Sequence, residues 1–146
     1  MSIRITVATL VALLIAGCGS TPAPSPTPAV PTPGVTLSTR PSSPAKIWFI
    51  SPPATQNTIS GTVLHIDVGI SGATLTTSTS THILPTLGHI HLYSNGALTY
   101  MNYKPTLDLP VHPGTNYAIR AEFVASDHFP FNPRVFTPTI FVTVTG

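Results

Sequence analysis

From Lys46 to the C-terminus, apolar residues recur at every second position in short runs, broken by clusters of Pro, Gly, Asn and Ser. Thr62 to Ile70 alternates cleanly, with Leu64, Ile66, Val68 and Ile70 facing one way and Val63, His65 and Asp67 the other. Lys46 to Ile50 is a short apolar strand stopped by Pro52-Pro53. In Gly88 to Gly96, Ile90 and Leu92 face a core while His89, His91 and Tyr93 share the opposite face. Asn95-Gly96 tolerates positive φ at both central positions of a tight turn, so Ala97 to Tyr103 returns as a hairpin partner. Leu107 and Leu109 mark another short strand, and Asn116 to Ala125 turns Tyr117, Ile119, Ala121 and Phe123 inward with Arg120 and Glu122 outward. Thr139 to Val144 closes the chain, with Ile140, Val142 and Val144 inward. The polar segment Ser71 to Leu87 is long for a loop, a length that often carries function. No stretch sustains a helical period. The pattern predicts an all-β sandwich over residues 46–146.

One corner sharpens that expectation. Leu109-Pro110-Val111-His112-Pro113-Gly114-Thr115-Asn116-Tyr117-Ala118-Ile119 resembles the tyrosine corner of fibronectin type III and related domains. There the hydroxyl bonds backbone a few residues upstream. The resemblance implies an immunoglobulin-like antiparallel β-sandwich of about seven strands. Ile119 stands where antibody domains carry a cysteine, as in disulfide-free relatives.

The N-terminal part has a different character. Arg4 followed by the apolar run Ile5 to Ala16 reads as a secretory signal, too short to span a bilayer, which takes about 20 residues. Leu14-Ile15-Ala16-Gly17-Cys18 resembles the bacterial lipobox. The resemblance implies a signal peptide over residues 1–17, cleavage before Cys18, and acylation of that cysteine as a membrane anchor. The alternative is an ordinary signal peptide with an incidental cysteine. Cys18 is the sole cysteine, so the fold has no internal disulfide and stands on its core. Residues 18–45 are mostly Ser, Thr, Pro and Ala, a tether that could reach roughly 80 Å in extended polyproline geometry. The expected location is extracytoplasmic, lipid-anchored at the bacterial cell membrane.

Charge excludes one class of partner. The chain's formal net charge is +2, but from Lys46 onward Lys46, Lys104, Arg120 and Arg134 balance Asp67, Asp108, Glu122 and Asp127. No basic face is available for nucleic acid. Those four carboxylates form no evident acid/base pair, and neither Gly-x-Ser-x-Gly nor a Gly-rich phosphate loop is present. The reading is a monomer without enzymatic activity.

The candidate chemistry lies in the histidines. All six fall in the folded part: His65, His82, His89, His91, His112 and His128. His65 reads as a solvated strand residue, His112 as a turn residue, and His82 as an incidental member of the Thr/Ser loop. His89 and His91, two residues apart on one strand face, lie roughly 6–7 Å apart. In a sandwich of this kind the strand Asn116 to Ala125 runs antiparallel beside them, so the loop after it returns His128 to His89. Imidazole suits copper or zinc. His89, His91 and His128 are thus candidate ligands, with His82 able to complete the set if its loop folds over, and Asp127 a candidate acceptor orienting a ring. A site of ordinary imidazoles would lose metal below about pH 6. The competing reading is that these rings simply bond backbone carbonyls.

Gly88-His89-Ile90-His91-Leu92, Pro113-Gly114, Asp127-His128-Phe129-Pro130, Asn132-Pro133 and the closing Thr-Ile-x-Val-x-Val run resemble a family of small exported bacterial domains of unknown function. The pattern departs at Ser126-Asp127-His128, where no residue separates Asp from His. The resemblance implies the compartment and the fold, and no activity. Two functions stay open. One is a lipid-tethered binding domain charged with copper or zinc. The other is a structural or adhesive surface module in which loops and Tyr93, Tyr100 and Tyr103 contact a cell-envelope protein or glycan. A His-x-His copper enzyme like copper/zinc superoxide dismutase would need further ligands that have no match here.

Overall fold

The computed structural model describes residues 39–146. The expected signal segment, Cys18 and the tether up to residue 38 lie outside the described residues. The described chain forms strands β1 (Lys46–Ser51), β2 (Thr58–Ser60), β3 (Val63–Ser71), β4 (Thr74–Leu75), β5 (Leu87–Ser94), β6 (Ala97–Asn102), β7 (Thr106–Pro110), β8 (Asn116–Ala125), β9 (Pro130–Phe136) and β10 (Ile140–Thr145), with no α-helix among them. One sheet has the order β1-β3-β7. The other runs β2-β10-β8-β5-β4, with β6 also on β5 and β9 also on β8. The first sheet and the β10-β8-β5-β6 part of the second make an immunoglobulin-like β-sandwich.

Period-two alternation builds the core between the sheets. Leu64, Ile66 and Val68 of β3 meet Ile90 and Leu92 of β5, Ile119, Ala121 and Phe123 of β8, and Ile140, Val142 and Val144 of β10, all buried. Phe131 of β9 stacks on Phe123 with ring centroids 5.6 Å apart. The tyrosine corner forms as its sequence implies: the Tyr117 hydroxyl accepts the His112 N–H at 3.0 Å.

Three elements were not legible in the pattern. β9 carries Pro133 and looked like a loop, yet it pairs with β8 along an outer edge, where a missing N–H is tolerated. β2 and β4 are three- and two-residue parallel additions to β10 and β5. Their pairing is decided by tertiary contact rather than by periodicity. The folded unit also takes in chain ahead of the Lys46 boundary. Arg40 and Ala45 are buried, and Asn132 N–H donates to the Pro41 carbonyl at 3.0 Å.

The β5–β8 pairing positions everything that follows. Its register sets Gly88 opposite Ala125, His89 opposite Val124 and His91 opposite Glu122. A Cβ at Gly88 would lie 2.0 Å from the Val124 carbonyl oxygen and 2.8 Å from the Phe123 ring, so only glycine allows this approach. Gly88→Ala is expected to cost about 2–4 kcal/mol by overpacking against backbone, measured as a shift in the denaturant midpoint. An unchanged midpoint would contradict this placement of β5.

Candidate functional site

The outer face of the β5–β8 pair is covered rather than solvated. His89 and His91 are buried there, at 0% and 5% exposure, although they point away from the sandwich core. Two segments close over them. The β8–β9 turn, Ser126 to Phe129, folds back because the His128 N–H bonds the Ala125 carbonyl and the Ala125 N–H bonds the Phe129 carbonyl. His128 takes a φ of +70° in that turn, a left-handed conformation that histidine visits more readily than most side chains. The Thr/Ser loop between β4 and β5 supplies the second cover. Ser80 N–H bonds the Ser126 carbonyl at 2.9 Å, and Ser126 Oγ donates to the His82 carbonyl at 3.1 Å.

The result gathers His89, His91 and His128 so that one ligand nitrogen from each lies within 4.8 Å of the others. His89 Nε2 and His91 Nε2 are 3.0 Å apart. The ring centroids of His89 and His128 are 4.4 Å apart, and those of His91 and His128 5.9 Å. Tyr103, following β6, lies against His89 at 4.9 Å between centroids. His128 Nε2 sits 2.8 Å from Thr79 Oγ1 and 3.3 Å from the Tyr103 hydroxyl. Among the described residues none of the three rings bonds a backbone carbonyl, and the Nδ1 atoms of His89 and His128 are buried without a partner.

Those orphaned nitrogens define the chemistry. A neutral imidazole carries one N–H and one lone pair. If His89 Nε2 donates to His91, its Nδ1 lone pair is buried bare. If it accepts, its Nδ1–H is buried bare. Either arrangement leaves unmet a group that normally costs about 1–3 kcal/mol to bury unsatisfied. With Nε2 of His128 held by two hydroxyls, its Nδ1 is the nitrogen left for a ligand.

The other sequence candidates stand differently. His82 stays exposed, and its ring is not part of the trio. Asp127, expected to orient a ring, instead accepts Arg40 Nη1 at 2.6 Å on Oδ2 and Nη2 at 2.7 Å on Oδ1. Its Oδ1 also accepts the Phe129 N–H at 3.2 Å. Arg40 also donates Nε to the Pro130 carbonyl. Asp127 therefore braces the turn that presents His128. Burial pushes its carboxyl up, but the Arg40 and Phe129 bonds outweigh this and hold it below the usual carboxylate range.

Alternation along β8 had Glu122 outward and nothing more. It lies on the outer face, but it is buried and gripped by Arg134, whose Nε and Nη2 each donate at 2.6 Å, and by the Tyr93 hydroxyl at 2.8 Å. Arg120 and Arg134 both lie over the Phe136 ring, at 3.6 and 4.6 Å from its centroid. Thr79, Arg40 and Arg134 were not singled out from sequence. Tyr103 was expected to contact a protein or glycan, and here it packs against His89 and His128 instead.

No family model matches the chain, and no curated protein matches it. Among solved structures it is similar to the fibronectin(III)-like modules of Clostridium thermocellum CbhA, with a TM-score of 0.46 and 16% identity, over 69% of this chain and 94% of that one.

Burial, then the neighbouring His91 and His128, lower the His89 pKa to about 4, with Asp127 opposing. Burial also lowers His91, against the pull of Glu122. This moves the pH 6 expectation for proton competition downward. The sign for stability follows from proton uptake. Between about 6.5 and about 4 the unfolded chain binds protons that the folded chain refuses, so stability is lost as the pH falls through that window. The metal-free chain is expected to lose roughly 1–3 kcal/mol from pH 7 to pH 4.5, read from urea midpoints. A flat profile over that range would contradict the burial of neutral rings.

Proposed function

We propose that this chain is an extracytoplasmic lipoprotein, moored through Cys18, whose immunoglobulin-like domain is a non-enzymatic binding module holding one copper or zinc ion through His89, His91 and His128. The anchor rests on the order of positive charge, apolar run and lipobox cysteine at the N-terminus, and on the Pro-rich tether that follows. The metal rests on one observation above all: three imidazoles, two buried and one half-buried, converge with two buried Nδ1 atoms unpaired. Three nitrogen ligands leave a further position open for water or another donor. Asp127 and Arg40 hold the turn that carries His128, so removal of either would loosen the third ligand rather than delete it.

A second reading has its own support. A groove of about 360 Å³ on the same outer face is lined by Tyr93, Gly96, Ala118, Arg120, Arg134, Phe136 and Thr139. Arg120 is exposed there and makes no ion pair among the described residues. Such a cationic, aromatic surface suits an adhesive module that binds an acidic protein or glycan without metal. Of the tyrosines first considered for that role, only Tyr100 is exposed.

The purified chain is expected to bind about one equivalent of Zn(II) or copper, and His91→Ala to abolish binding while the far-ultraviolet spectrum stays that of the wild type. Unchanged stoichiometry in His91→Ala, measured by equilibrium dialysis with elemental analysis, would remove the metal reading. Binding of an envelope protein or glycan that survives chelation would favour the adhesive one.

A further inference from the structure

We infer that the site is built for monovalent copper and that the Met101 thioether is its fourth ligand. This rests on the metal-binding reading above and extends it to the ion, its oxidation state and a ligand outside the trio.

The register carries the first step. β6 pairs with β5 so that Met101 stands directly opposite His91. Opposed residues of an antiparallel pair project from one face with Cβ atoms about 4.5–5.5 Å apart. Two residues further on, Tyr103 lies against His89, which shows the same face of the hairpin hanging over the rings. Met101 is 54% exposed, so its flexible thioether stands where the buried imidazoles meet solvent. It is the only methionine, and the only sulfur, among the described residues.

Charge carries the second step. Two carboxylates lie close to the trio, and each is neutralised by its own arginine: Glu122 by Arg134 and Asp127 by Arg40. Glu122 flanks His91 on the side opposite Met101, but both its oxygens are taken, one by Arg134 alone and one by Arg134 and Tyr93. The donors left are three imidazole nitrogens and a thioether. The desolvation cost of an ion grows with the square of its charge, so a largely buried donor set with no carboxylate ligand disfavours a divalent ion more than a monovalent one. A thioether adds to that preference, since soft sulfur selects Cu(I) over Zn(II).

The test compares the purified wild-type chain with Met101→Leu, a volume-conserving change on an exposed edge strand. Cu(I) is titrated without oxygen against a colorimetric Cu(I) chelator, and Zn(II) against a fluorescent zinc chelator. Met101→Leu is expected to weaken Cu(I) by about tenfold or more, ~1.4 kcal/mol, and to leave Zn(II) affinity essentially unchanged. X-ray absorption of the Cu(I)-loaded wild type should show a sulfur neighbour that the variant lacks. Equal Cu(I) affinity in the two proteins, or parallel loss of both metals, overturns the role of Met101. Wild-type uptake of Zn(II) without Cu(I) overturns the choice of ion and leaves the three-histidine site standing. Uptake of neither metal overturns that site itself.

Discussion

Close backbone approach between β5 and β8 at Gly88 is the constraint on which the rest of this domain depends. The Val124 carbonyl occupies the space a side chain at position 88 would need, which locks Gly88 opposite Ala125. With that register fixed, Ile90 and Leu92 enter the core and His89 and His91 leave by the other face. The turn after Ala125 then has nowhere to go but back across the start of β5, and His128 rides on it. A one-residue slip would exchange the two faces of β5 and put imidazoles into the sandwich core.

Local charge pairing shapes what the gathered rings can do. Arg40 and Arg134 each pair with a carboxylate, yet burial remains the largest influence on the two strand imidazoles, followed by Glu122 at His91 and by the neighbouring rings at His89. Buried neutral rings with unmet nitrogens destabilise a fold, and a left-handed His128 adds backbone strain. An ion bound by these lone pairs would offset part of that cost. Arg40 also explains why chain that looks compositionally like tether belongs with the domain: it reaches from that segment to fasten the turn at Asp127, Phe129 and Pro130.

Much of the sandwich was legible because period-two burial is a local property. β3, β5, β8 and β10 each write their core face directly into the sequence, and Asn95-Gly96 and Tyr117 mark a turn and a corner by their own chemistry. The meeting of His89, His91 and His128 followed from strand order alone. The surroundings did not. The two-residue turn implies a regular ladder, but the register shifts between Leu92 and Tyr93, and this moves Met101, rather than Tyr100, opposite His91. A bulge of that kind leaves no mark in the alternation of so exposed a strand. Asp127 looked like a ring acceptor because its partner Arg40 lies far away in sequence, inside a stretch of low complexity. Glu122 looked solvated because its cover, Arg134, sits on a strand hidden by its prolines.

The central claim is that three imidazoles from two distant segments share one ion. Anomalous diffraction at the copper edge from a copper-loaded crystal of the chain tests it most directly. The account predicts one strong peak, about 2.0–2.1 Å from a nitrogen of each of His89, His91 and His128. A peak at the exposed His65 or His112 instead, or none beside the trio, would contradict it.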